Sequence, residues 1–275
     1  MATAPGLNRA DDATQTSSNS DLNDPQQLLL AFMRLGASLD NRLIIWWMDG
    51  VRYGVVDAKA KALFGMKVGM FHRFFRQANG DYELAMFELT YYTDLEGGEL
   101  LEEFQNPYTG EINRVSQVRL GPEIRRQTSE GLADPGNPLV RDYRSSLGPA
   151  MINGDQLWIP TSVEATIKFP KPTAPEILLN IYTTVQGRLS DAVNSDLMSA
   201  PATLAFQNVL KWEPFMRMGD RTGHMMSRAA GRKLHSIEEL PNDYLACAER
   251  MHPKFIADPI ATLAPLTDEL MKMGS

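Results

Sequence analysis

A single cysteine, Cys247, stands in a chain of 275 residues, which excludes an internal disulfide framework and any cysteine-rich zinc or iron–sulfur site. A reducing compartment fits. Histidine is scarce as well: His72, His224, His235 and His252 lie far apart, none in H-E-x-x-H or another short ligand pattern, so no metal is expected. Positive charge is in deficit, with 27 basic against 34 acidic residues and a net charge of −7, and no basic stripe runs along any segment. Nucleic-acid binding is not expected. Long apolar runs are missing too. The stretch Leu43 to Met48 falls far short of the roughly 20 residues that span a bilayer, so no membrane partner is expected. Met1 to Leu30 lacks the basic start and continuous apolar stretch of a secretory signal. The expected location is the cytoplasm. No G-x-G-x-x-G or G-x-x-x-x-G-K loop follows a strand, and no G-x-S-x-G elbow is present. Neither a nucleotide cofactor nor a serine acyl-enzyme is expected, and the site is read as needing no cofactor.

What the chain does contain is β structure. Residues 1 to 24 are read as a disordered tail, because small polar residues cannot offset their ordering entropy by burial. Asp24-Pro25 then signals a helix start, with Gly36 closing the helix and Leu29, Phe32, Met33 and Leu35 on its buried stripe. From Arg42 the periodicity shifts toward two. Arg42 to Met48, Met66 to Gln77, Tyr82 to Tyr92, Glu99 to Phe104 and Ile112 to Leu120 are aromatic and β-branched runs; the signals between them include Asp49-Gly50, Asn79-Gly80 and Asn106-Pro107-Tyr108-Thr109-Gly110. Gln156 to Phe169 and Glu176 to Leu189 are two further strands about a Pro170-Lys171-Pro172 turn. The segment 121–154, rich in Gly, Pro and charge, reads as a long loop that could act as a lid. After Leu210 the chain reads as mostly irregular, then as helices over Asn242 to Met251 and Ala261 to Met273. The expected fold is mainly β with added helices: an antiparallel meander curled into a barrel-like sheet, with an N-terminal helix and C-terminal helices. Residues 25–275 form one domain in this reading.

Alternation along Tyr82 to Tyr92 puts Tyr82, Leu84, Met86, Glu88, Thr90 and Tyr92 on one face. Both faces are largely apolar, so the strand should be covered on both sides and Glu88 should be an acid among apolar neighbours. Desolvation would raise its pKa and suit it to proton transfer, while an ion pair with an arginine is the structural alternative. On the neighbouring run, Met70, His72 and Phe74 share one face and Phe71, Arg73 and Phe75 the other. If the His72 face meets the Glu88 face, a base and an acid converge between aromatic walls. For His72 a hydrogen-bonded structural role stands beside the catalytic one. The candidate catalytic group is His72 and Glu88 for proton transfer, with Tyr92 and Arg73 as hydrogen-bonding or cationic anchors for a phenol. Trp47, Phe74, Met86, Trp158, Tyr182, Trp212 and Met216 are candidate substrate contacts, because rings and adaptable methionines suit a flat apolar or phenolic ligand; Arg144 joins them as a cationic anchor on the lid and His224 as part of a pocket rim.

Tyr91-Tyr92-Thr93-Asp94, then Gly98-Glu99 with Leu101, then Phe104-Gln105-Asn106-Pro107-Tyr108-Thr109-Gly110-Glu111 resemble the bacterial domain-of-unknown-function family 1838 (DUF1838). The segment Lys211 to Asp220, with Arg228, Gly231, Arg232 and Lys233, is similar to that family's closing motif, so the resemblance covers residues 40 to 260. Phe104 stands where the family pattern carries tryptophan. The resemblance implies a β-rich fold and, from the family's frequency in bacteria that degrade aromatic compounds, a catabolic role. Asn106, Pro107, Thr109 and Gly110 also make a rigid turn, so much of the shared motif is expected to be architecture. Together these readings give a cofactor-independent lyase that cleaves a side-chain carbon–carbon bond of a lignin-derived phenolic dimer and releases formaldehyde. The alternative is a non-catalytic carrier of hydrophobic aromatic molecules. A homodimer through exposed aromatic strands is the third reading.

Overall fold

The computed structural model describes residues 21–96, 98–168 and 176–273. The tail expected over 1 to 24 falls almost wholly outside these, as does the Pro170-Lys171-Pro172 turn. Helix α1 (Pro25–Gly36) starts as its sequence dictates: the Asp24 carboxylate accepts from the backbone N–H groups of Gln26 and Gln27, and Pro25 opens the first turn.

The strands follow as β1 (Ile44–Val56), β2 (Lys59–Arg76), β3 (Tyr82–Thr93), β4 (Glu103–Gln105), β5 (Ile112–Arg114), β6 (Val118–Thr128) and β7 (Gly131–Leu132). Then come β8 (Val140–Leu147), β9 (Met151–Asn153), β10 (Gln156–Ile167), β11 (Ile177–Arg188), the short helix α2 (Leu189–Ala192), β12 (Thr203–Leu210) and β13 (His224–Leu234). Three helices, α3 (Asn242–Met251), α4 (Pro253–Ala257) and α5 (Pro259–Met273), end the described chain. One sheet runs in the order β7-β6-β3-β2-β1-β13-β12-β11-β10-β8, with β9 beside β10; β4 and β5 form a separate hairpin. Every pairing in the large sheet is antiparallel. The sheet is a nearly closed barrel. Its two ends meet where Tyr143 and Ser145 of β8 donate to the Leu132 carbonyl of β7 at 2.8 and 2.6 Å.

Three expectations are corrected. The 121–154 segment is not a lid loop: β6, β7, β8 and β9 occupy most of it. Asp49-Gly50 is not a turn, because β1 runs through it; a Cβ on Gly50 would lie 2.2 Å from the Arg228 carbonyl oxygen, so glycine lets β13 lie close there. The hairpin turns instead at Asp57 and Ala58, both with positive φ. The stretch after Leu210 is not mostly irregular either, since β13 pairs with β1 along Ile45 to Val55.

Two plugs and a cover complete the barrel. Inward side chains of β10, β11 and β12, namely Leu157, Ile159, Val185 and Leu204, pack with Leu28, Ala31 and Leu35 of α1. Leu29 and Met33 of α1 meet Phe74, Tyr82, Leu84 and Met86 of β2 and β3. The helix thus fills one end. Trp46 Nε1 donates to the Gly36 carbonyl at 2.9 Å, and Lys233 Nζ caps the same helix end by donating to the Arg34 and Ala37 carbonyls. At the other end Met216 and Met218 pack with Phe64, Tyr92 and Phe104. The outer face of β1 to β3 is covered by the C-terminal helices through Phe71, Phe87 and Tyr91 against Tyr244, Leu263 and Leu270.

Candidate functional site

Antiparallel register decides which residues share the interior, because directly opposed residues project to one side of a sheet. Met70 opposes Glu88, His72 opposes Met86, and Phe74 opposes Leu84. All six point into the barrel, so the His72 face does meet the Glu88 face. On the other side of β3, Glu123 opposes Met86 and Arg125 opposes Leu84. A bulge in the β3–β6 ladder between Met86 and Glu88 makes room for this set. Gly121, at φ +75, permits the bulge; a Cβ there would lie 2.7 Å from the Met86 carbonyl oxygen.

His72 is buried, its ring edge-on to Phe74 at 5.6 Å, and neither ring nitrogen has a hydrogen-bond partner. Burial, assisted by the Arg125 guanidinium, lowers its pKa to about 3. The ring is neutral. Glu88 is pushed the other way: burial raises its pKa against the pull of the Thr90 hydroxyl, which donates at 2.7 Å, and of Arg125 and Arg52. Arg125 itself donates from Nε to Glu123 at 2.6 Å. Along the inward face of β2 from Phe64 to Phe74, and of β3 from Tyr82 to Tyr92, all positions are buried except Met70 and Glu88. That opposed pair therefore borders space. Across the barrel, inward Val163, Ile181 and Phe206 also keep accessible surface.

Nearer the second plug lies a further polar group. Arg52 Nη2 donates to the Tyr92 hydroxyl at 2.9 Å and stands 3.1 Å from the Glu213 carboxylate, to which Tyr92 donates at 2.8 Å. Tyr92 is thereby fully engaged, and burial raises its pKa. It positions Arg52 and Glu213 and holds its own proton.

The remaining candidates divide sharply. Phe74, Met86 and Met216 are interior, and Trp212 stands near the second plug against the Tyr108 ring. Arg73 is on the opposite face of β2 from His72: it donates to the Asn41 carbonyl and the Thr267 hydroxyl, between β2 and α5. Trp47 shares that outer face and packs with the helix-covered cluster. Arg144 opposes Glu164, and Tyr182 opposes Ser162 and donates to Glu164, which puts both on the outside of the barrel. Trp158 has the same parity on β10 and faces outward with them, as does His224 on β13. These six do not join the His72 group. For Arg73 the alternation of β2 itself already gave the outer face; for the others the parity between distant strands depends on bulges and on strands that the sequence did not reveal.

Sequence reasoning missed Arg52, Glu123, Arg125 and Glu213. A strand reading through Asp49-Gly50 would have put Arg52 on the same face as Met48. Arg125 is hidden in a stretch whose alternation is polar on both sides. Asn106 proves architectural: its amide donates to the Met216 carbonyl at 2.7 Å and accepts from the Tyr108 N–H, which ties the second plug in place. Among the described residues no group of three or more His, Cys, Asp and Glu side chains could hold a metal ion, and no helix is long and apolar enough to cross a membrane.

Fold and site together define a nearly closed antiparallel barrel, helix-plugged at one end, with ionisable groups buried inside it. Within that class the chain belongs to the DUF1838 family, described as proteins of unknown function, whose sequence model matches residues 40–133 and 157–265. No curated protein and no solved structure matches the chain.

Proposed function

We propose that this chain is a cofactor-independent lyase that cleaves a side-chain carbon–carbon bond of a phenolic aromatic dimer, releasing formaldehyde. The observation that carries the reading is a neutral His72 with both ring nitrogens unpartnered, one inward pair along the β2–β3 ladder from a carboxyl whose pKa is raised by burial. His72 would take the proton of a hydroxymethyl group. The bond between that carbon and the chain then breaks to give formaldehyde, and its electron pair forms the alkene as the neighbouring benzylic hydroxyl leaves. Glu88 protonates that hydroxyl, so water departs. One proton is taken and one given, and the net charge of the interior is unchanged throughout. The cation formed on His72 gains a carboxylate neighbour in the same step, which offsets the low basicity of the buried ring. Acid–base help of this kind contributes about 10²–10⁴-fold. A reducing, cytoplasmic setting accompanies this reading.

The test is incubation of the purified protein with a diaryl propanediol carrying a free phenol, followed by assay of formaldehyde and of the stilbene product. Equal yields of the two are expected. Failure to release formaldehyde from any such dimer overturns the proposal. A second reading, a carrier of hydrophobic aromatics, draws on the inward Val163, Ile181 and Phe206, an apolar wall that offers contact without chemistry.

A further inference from the structure

The interior holds a second set of unfilled hydrogen-bonding groups, separate from His72 and Glu88. Arg52 is 5% exposed, and its Nε and Nη1 have no partner. Ser227, fully buried, opposes Arg52 directly in the β1–β13 ladder, and its hydroxyl also has no partner. On the far side Ser227 opposes Asn208 of β12, whose side-chain oxygen accepts the Ser227 N–H at 3.2 Å. An unpaired buried donor costs about 1–3 kcal/mol, and native proteins leave few of them without a reason. Two side chains opposed on neighbouring strands, both unfilled, point to a ligand atom that both can reach.

The charge balance selects that atom. Arg52 already has a carboxylate counter-ion, Glu213, at 3.1 Å, and the Tyr92 hydroxyl completes the triad. An entering carboxylate would place a second buried negative charge beside Glu213 without a new cation to offset it. A neutral acceptor oxygen takes the free N–H groups at no such cost, and the Ser227 hydroxyl can donate to it or accept from it.

We propose that Arg52 and Ser227 form a recognition site for a neutral phenol or aryl-ether oxygen on a ring bound inside the barrel. The site would hold the oxygenated ring while a second part of the ligand lies beside Glu88. This deepens the lyase reading by naming what its substrate must carry, and it rests on that reading only in taking the interior as the ligand's place.

Binding of four fluorescent probes tests it: stilbene, 4-hydroxystilbene, 4-methoxystilbene and 4-carboxystilbene, titrated into the intact chain and into Ser227→Ala and Arg52→Lys. The wild type should hold the hydroxy and methoxy probes about tenfold tighter than stilbene, and the carboxylate no tighter than stilbene. Each variant should reduce the tenfold preference to threefold or less while leaving stilbene affinity unchanged. Ser227→Ala removes one oxygen from a strand and carries the test alone if Arg52→Lys does not fold. A preference that survives both substitutions, tightest binding by the carboxylate, or equal binding of all four probes through water held at these groups overturns the proposal. Lack of turnover with the preference intact overturns the lyase and leaves this site standing. Turnover with no preference does the reverse.

Discussion

Glu88 and His72 occupy adjacent inward pairs of the β2–β3 ladder, Glu88 opposite Met70 and His72 opposite Met86. Burial drives their pKa values in opposite directions, each toward the uncharged form. An acid and a base shifted in these opposite senses side by side can pass a proton each way without adding net charge to the barrel interior.

Removing either partner should therefore abolish turnover and spare binding. Glu88→Gln and His72→Gln are expected to lower kcat by about 10²-fold or more. Stilbene affinity in a fluorescence titration should stay within about threefold of wild type, whereas a carrier would lose ligand and show no turnover to begin with.

Glu88 should also be a stability burden. Its folded pKa lies above the ordinary carboxylate value, so the folded state holds more protons, and stability falls as pH rises through the raised value. Glu88→Gln lacks that fall. Its thermal midpoint should exceed that of wild type at pH 8 and match it near pH 4, as read by calorimetry.

His72 has the opposite dependence on acid. With a folded pKa of about 3 against an ordinary 6.5, the unfolded state binds more protons between those values. This contribution is full above pH 6.5 and is lost as pH falls toward 3, by on the order of 5 kcal/mol at its limit. His72→Met should flatten this part of the curve of urea midpoint against pH.

Asn106 should act on folding. Asn106→Ala strands the Met216 carbonyl and the Tyr108 N–H, at a cost of about 1–3 kcal/mol. The urea midpoint should drop with no change in the pH profile of any residual turnover.

Legibility followed burial. The start and end of α1 were readable because Asp24, Pro25 and Gly36 act locally, and α3 matches its expected span of Asn242 to Met251. β3 was readable because it is covered on both sides, and the shared face of His72 and Glu88 followed from its alternation. β6 and β8 were not readable. They line or border a polar interior, so Glu123, Arg125 and Ser145 replace the apolar alternation that marks a strand. β13 was hidden for a related reason: Arg228, Gly231 and Arg232 interrupt its pattern, and pairing on both edges holds it in place instead.

The seating of α1 has a consequence for traffic. Arg34 donates to the Ala192 and Leu197 carbonyls, and Lys233 and Trp46 grip the end of the same helix, so withdrawing it would break several buried bonds at once. That end of the barrel is therefore shut to anything that would enter or leave the interior while the fold stands.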